Sequence, residues 1–328
     1  MKKIAILVFF TVGFFVHVWA CTGLIAGKQA TVDGSVLVTY SADSHTLYGA
    51  LTSSPAADWP KGSMRSIVEW DTNKPLGEIE QVEHTYAVIG NMNEHQLTVV
   101  ESTWGGRPEL VDTTGIIDYG SLMQLALERA KTAREAIKVM TGLVKKYGYY
   151  SSGESFTIAD PNEAWILDLI GKGPGRRGAV WVAVRIPDDC IAGHANYPRI
   201  HKIPMDDKEN CLYSPDVISF AREMGYFDGL NKDFSFARAY SPADFGALRA
   251  CDARVWSFFR KYDSSMDNYL PYVNGESAEP FPLYVKPSRK LSVQDMKEAM
   301  RDHFEDTPFD MTQDVGAGPF KVPYRFRP

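Results

Sequence analysis

The chain has 328 residues, 45% of them hydrophobic and 23% charged, an ordinary globular composition that excludes collagen-like, coiled-coil and wholly disordered chains. Thirty-five Lys and Arg against 41 Asp and Glu leave a net charge of −6, which removes the long-range attraction that nucleic acid or an anionic lipid surface would need. The length admits one large domain or two.

Residues 1–20 open with Met-Lys-Lys, run through an apolar stretch over residues 4–16 and end on Val18-Trp19-Ala20. A basic start, an apolar centre and small or aliphatic residues at Val18 and Ala20 read as a signal peptide cut after Ala20. The stretch is short for a membrane span, so no span is expected after processing, and the product is expected in the periplasm or outside the cell. Cleavage leaves 308 residues, removes Lys2 and Lys3 and takes the charge to −8.

It also makes Cys21 the N-terminal residue. An N-terminal cysteine carries a thiol with an ordinary pKa of about 8.5 beside an α-amine of about 7.7–8.0, so the amine can accept the thiol proton without a histidine. Val18-Trp19-Ala20-Cys21 also fits a lipobox, in which Cys21 would carry a lipid anchor, although Trp19 is bulky for its middle. Lipidation blocks the thiol, so the two readings exclude each other. No Gly/Ser/Asn spacer follows Cys21, which counts against the anchor.

Residues 22–28 and 35–42 are apolar, β-branched runs joined through Asp33-Gly34, a strong hairpin signal. Further strands are predicted at 85–89 and 97–101 around the turn Gly90-Asn91-Met92-Asn93-Glu94, at 156–159 and 164–169 around Asp160-Pro161-Asn162-Glu163, and at 179–186. A helical stretch over 121–130 precedes a helix from Thr132, with Glu135 three residues on as a capping box, to about Lys146. Ser214-Pro215 and Ser241-Pro242 each place an N-cap before a proline, and Ser292 with Asp295 opens a last helix to about His303. Residues 171–178 and 280–287 read as surface loops, and residues 50–74 match no pattern. This order predicts an α+β layered fold with antiparallel sheet and no internal domain boundary.

Several motifs are set aside. Residues 171–177 are Gly-rich but lack the Gly-Lys-Ser/Thr ending of a phosphate loop. His194 and His201 have no cysteine or carboxylate at ligand spacing, so no metal or cofactor is expected. There is no Gly-x-Ser-x-Gly elbow. Cys190, Cys211 and Cys251 allow one disulfide in an exported chain, with partners that sequence does not assign. Asn196 has the amide that an oxyanion needs, and Asp43 and Glu154 are the carboxylates placed near strand ends.

Residues 21–35, followed by Ser41-Ala42-Asp43-Ser44-His45, resemble the start of the cysteine dipeptidases of the dipeptidase A and secernin family, which are N-terminal-nucleophile hydrolases. The resemblance continues through residues 90–94, 101–107, 153–156, 160–165, 184–189, 300–305 and 316–328, in order over the mature chain. It implies an αββα sandwich of antiparallel sheets, a cysteine exposed by processing, and hydrolysis of short peptides without a metal. Cys21 looks like the nucleophile and Asp43 like the acid that holds its α-amine. Asn196 is the oxyanion candidate, shared with a backbone N–H near Asn93, and Glu154 is a candidate for reading the substrate's free amine.

Two departures stand out. Tyr40 occupies a place where many relatives carry Arg, and relatives are usually longer, so the chain is expected to lack the family's C-terminal part and with it part of the sandwich. Two rival readings follow from the same residues: an acylase acting on non-peptide amides such as bile-salt conjugates or penicillins, and a lipid-anchored binding protein without catalysis.

Overall fold

The structure is a computed structural model and describes residues 20–43 and 49–324. Of the expected export signal, residues 1–20, all but Ala20 lies outside the described residues, as do Ser44 and His45.

The Asp33-Gly34 hairpin forms between the strands Ala20–Ala26 and Leu37–Asp43, paired from Ala20 with Asp43 to Ala26 with Leu37. With Ile191–His194 and Tyr284–Val285 they make a four-stranded sheet. A second sheet of eight strands centres on Thr98–Trp104, Gly153–Ala159, Ala164–Gly171 and Ala179–Ile186. The ladders between described strands are antiparallel, and neither sheet closes into a barrel.

Side-chain alternation along the strands sorts the apolar residues into layers. Val99, Phe156, Ile158, Trp165 and Leu167 pack with Leu122, Ala126, Ile137 and Met140 of the helices Tyr119–Arg129 and Ala133–Tyr147. Trp104, Ile166, Ile170 and Val182 point the other way and meet Ile25 and Ala192 of the smaller sheet. Leu24, Ala26 and Ile191 face outward, against Val255, Trp256 and Phe259 of the helix Ala253–Arg260. Cys21 has the parity of Gly23 and Ile25, so its side chain faces inward.

His194 joins the two sheets. It is buried, and its ring nitrogens bond the Ser102 and Thr157 hydroxyls at 2.7 and 2.8 Å. A Cβ on Gly23 would lie 2.9 Å from that ring, so this strand position needs a glycine for the close approach.

Local signals and structure part company in several places. Thr132 caps its helix through the Glu135 N–H, but the Glu135 carboxylate accepts from Lys131 instead of Thr132. The Ser214 hydroxyl accepts from the Trp181 N–H, and the only helix beyond Pro215 in that stretch is the short Ser219–Glu223. Asp244, not Ser241, caps its helix through the Ala247 N–H, and the helix runs through the wide turns of a π-helix over Ala247–Asp252. The Ser292–Asp295 capping box is complete, but its helix stops at Ala299. Within residues 280–287 the short strand Tyr284–Val285 pairs with Ile191–His194, and residues 50–74 contain short strands including Met64–Val68, which pairs with Pro75–Glu80. Cys190, Cys211 and Cys251 are all free thiols, so no disulfide forms among them. No helix among the described residues is long and apolar enough to cross a membrane.

Candidate active site

Cys21 stands at the second position of its strand, 2% exposed, on the wall of a cleft of about 470 Å³ that also presents Tyr40, Asp43, Asn91, Glu101 and Tyr119. Its main-chain nitrogen donates to the Asn196 side-chain oxygen at 2.7 Å. Its carbonyl accepts from Arg254 Nη1 at 2.7 Å. Burial is the main force holding the thiol protonated; the Glu101 and Glu154 carboxyls add to it, while the Asp43 backbone N–H and the Arg254 charge oppose it.

Asn196 follows the strand Ile191–His194 and takes a left-handed conformation, with φ of 53°. Asparagine tolerates this region better than other side-chain-bearing residues. Its Oδ1 accepts from Cys21 N and, at 2.8 Å, from Arg254 Nη2, while Nδ2 donates to the Thr103 carbonyl at 2.5 Å. Two donors on one atom and an acceptor on the other fix the orientation of the amide.

Arg254 lies in the first turn of Ala253–Arg260, directly after the π-helical stretch, a local widening that recurs at functional sites. Its guanidinium also reaches the Thr22 hydroxyl at 2.8 Å and the carbonyls of Ala195 and Ala250. One planar fork thus ties together the Cys21 strand, the Asn196 loop and its own helix. A buried ion pair backs it. Arg199 Nη1 lies 3.1 Å from both Asp252 oxygens, both side chains are fully buried, and Tyr272 adds a 2.9 Å bond to Asp252.

A second group of polar residues adjoins the thiol. Glu101 and Thr103 are two apart on one strand, so they share a sheet face, and Thr103 is paired directly with Glu154 on the next strand. Tyr40 Oη donates to Glu101 at 2.5 Å, and the Thr103 hydroxyl donates to Glu154 at 2.6 Å. The Thr103 hydroxyl also lies 3.5 Å from Glu101 Oε2, so it stands between the two carboxyls, and Glu101 lines the same cleft as Cys21. Burial pushes both carboxyls up, and the Glu101 charge pushes Glu154 further, so the pair favours holding a proton between them. Glu154, Thr103 and Asn196 also line a second cleft of about 740 Å³, which shares Tyr119 with the first.

The sequence-predicted residues are therefore mostly brought together. Cys21, Asn196 and Glu154 converge, and Asp43 lies at the cleft as the partner of Ala20 in the hairpin register. Asp43 is exposed, and the group bonded to the Cys21 nitrogen is Asn196. Asn93 is turned away from the cleft. Its Nδ2 donates to Leu127 and Ala130 carbonyls, its Oδ1 accepts from His95 and Leu97, and its own N–H donates to Leu97. It pins the turn to a helix end, and Asn91 is the asparagine that faces the cleft. Tyr40, at the place where many relatives carry Arg, supports Glu101, and the positive charge near Cys21 comes from Arg254. Arg254, Glu101 and Thr103 were not singled out by sequence. Glu101 closed the predicted strand 97–101 and was a usable signal, whereas Thr103 lay beyond that strand and Arg254 offered none.

Comparison with known proteins places these residues in context. The family model described as peptidase family C69 matches residues 20–328. The chain is 28% identical over 318 residues to a probable dipeptidase of Salmonella dublin, covering 89% of this chain and 68% of that protein. It is 25% identical to a probable dipeptidase of Latilactobacillus sakei, covering 89% and 62%, and 25% identical to dipeptidase A of Lactobacillus helveticus, covering 93% and 66%. The chain thus spans roughly two thirds of the length of these relatives.

Proposed function

Because the chain belongs to peptidase family C69, we propose that it hydrolyses dipeptides with Cys21 as an N-terminal nucleophile, exposed by cleavage after Ala20 in the course of export. The relatives' dipeptidase names point to the substrate class. The carrying observation is the Cys21–Asn196 contact: the atom that becomes the α-amine on processing sits in a hydrogen bond at the cleft wall, beside its own thiol. The layered packing of helices outside two antiparallel sheets agrees with an N-terminal-nucleophile sandwich.

In this reading the free α-amine takes the thiol proton, and the thiolate adds to the carbonyl of the scissile bond. Asn196 Oδ1 accepts from the amine and aims its lone pair. One Nδ2 hydrogen is committed to Thr103, and the second is the donor for the oxyanion. The protonated amine then delivers its proton to the leaving nitrogen, and water cleaves the thioester by the reverse sequence. Arg254 holds Cys21 and Asn196 at fixed separation. Asp43, at the mouth of the cleft, offers its carboxylate to the ammonium form once residue 20 is gone.

The depth of Cys21 favours this chemistry over lipid attachment, because a diacylglyceryl group has no room at a residue 2% exposed. Intact mass and activity test the reading together. An exported product that begins at unmodified Cys21, cleaves dipeptides and loses all turnover on Cys21→Ala supports it. Undiminished turnover in Cys21→Ala overturns it.

A further inference from the structure

Glu101 and Glu154 are 2% and 0% exposed, and neither forms an ion pair with Lys, Arg or His among the described residues. Asp71, Tyr40, Tyr119 and Tyr149 act on the pair and carry no positive charge, and Arg254, whose charge reaches the Cys21 thiol, bonds Cys21, Thr22, Ala195 and Asn196 and neither carboxyl. Two desolvated carboxyls without a counter-charge are costly, and such groups persist where they serve a ligand or a reaction. Hydrogen-bond accounting points the same way. Tyr40 serves one Glu101 oxygen, the Thr103 hydroxyl serves one Glu154 oxygen at 2.6 Å and lies 3.5 Å from the other Glu101 oxygen, and Glu154 Oε2 is buried with no partner. No arrangement of three ligating side chains suited to a metal ion occurs among the described residues.

The geometry points to the Glu101–Glu154 pair as the receptor for the α-ammonium group of the peptide's first residue, and to that cation as the switch that frees the Cys21 thiol for reaction. This rests on the dipeptidase reading of the site. The reach is set by covalent dimensions. In a peptide the α-nitrogen lies about 2.5 Å from its own residue's carbonyl carbon, and Glu101 lines the same cleft as the thiol that must attack that carbon, with its charge acting on that thiol. A carboxyl beside the nucleophile therefore meets the amine of the residue being attacked, and of no residue further along.

Binding the ammonium adds a positive charge to the pair while the proton shared by the two carboxyls stays in place, so the net charge of the pair goes to zero. The negative field that Glu101 and Glu154 exert on the thiol is then compensated, so the thiolate becomes accessible only when a free-amine substrate is seated. A peptide with a blocked amine would find two buried acids unpaired. Discrimination then falls on kcat as well as on KM.

Two measurements on the processed chain test this. Turnover of Ala-Ala is compared with N-acetyl-Ala-Ala, expected to differ by about 100-fold or more in kcat/KM, the scale of a buried charge left unpaired. In Glu154→Gln the free-amine peptide slows by about 10- to 100-fold and the preference collapses. Independently of turnover, alkylation of Cys21 by iodoacetamide, read by peptide mass, accelerates in methylammonium chloride over sodium chloride at equal ionic strength, and Glu154→Gln abolishes the acceleration.

Hydrolysis of the acetylated peptide at a rate near that of the free one, in a Cys21-dependent reaction, overturns this inference and leaves the dipeptidase reading intact. Failure to cleave any dipeptide while methylammonium still accelerates alkylation removes the dipeptidase reading and keeps the cation site. Alkylation indifferent to methylammonium in the wild type overturns the switch.

Discussion

The Asn196 side-chain oxygen lies 2.7 Å from the nitrogen of Cys21, a residue 175 positions away, while the other end of the same amide is anchored on Thr103 of the facing sheet. One side chain thus orients the prospective base and spans both sheets. The arrangement works because each atom of the amide has a distinct role, acceptor at one end and donor at the other.

Asn196→Asp separates those roles. The acceptor for Cys21 survives, but a carboxylate oxygen replaces the donor at 2.5 Å from the Thr103 carbonyl, where two acceptors repel. The new charge also stabilises the protonated α-amine and raises its pKa, which makes it a base only at higher pH. The expected outcome is a kcat lower by about 100-fold and a rising limb of the pH–rate profile displaced upward. An unshifted limb would place the base elsewhere.

Arg254→Lys keeps the charge and removes the fork. A lysine ammonium cannot reach Cys21, Thr22, Ala195 and Asn196 together. We expect kcat/KM to fall by about 10- to 100-fold with the melting temperature nearly unchanged, as measured by steady-state kinetics beside calorimetry. A melting temperature that collapses in parallel with activity would assign Arg254 to folding instead.

Asp252→Ala breaks the buried ion pair beneath the site and strands Arg199 without a counter-charge. The expected destabilisation is about 3–5 kcal/mol, measured by urea unfolding. Arg199→Met with Asp252→Leu removes both charges and should recover much of the loss. Activity in the double variant remains low, because the Asn196 loop and the Arg254 helix lose their staple.

His194 is held neutral by burial, with its pKa pushed down to about 3, and His201 is pushed down to about 3 for the same reason. Since unfolded histidine titrates near 6.5, the unfolded chain binds these protons first as pH falls. Their contribution to stability is complete above about pH 6.5 and is lost progressively down to about pH 3. Asp168, raised to about 6 by burial, acts oppositely: stability rises as pH falls from about 6 towards 4. Glu101 and Glu154, also raised by burial, act as Asp168 does. The histidine contribution is read by difference: His194→Gln should unfold at a lower midpoint than the wild type at pH 7, and the gap should narrow as pH falls towards 4.

Much of the scaffold was legible because it is written in neighbouring residues. The Asp33-Gly34 hairpin, the Thr132 and Ser292 caps and the turn at Asp160 depend on contacts a few positions apart, and they form where expected. Ser214-Pro215 carried the same kind of signal, yet its hydroxyl was claimed by Trp181, 33 residues away. Asn93 was drawn into a clamp on Leu127 and Ala130, which left the cleft to Asn91.

By itself the sequence determined the α+β class and the family likeness, because alternating strands, caps and turns are local patterns. Tertiary structure alone decided that Arg254 grips Cys21 across 233 residues and Asn196 across 58, and that Glu101 and Glu154 meet at the Thr103 hydroxyl by the cleft that Cys21 lines. Those relationships come from which strands pair and which helix covers which sheet. The energy that selects them is the burial of whole apolar faces, and the polar residues at the site are carried into place by that packing.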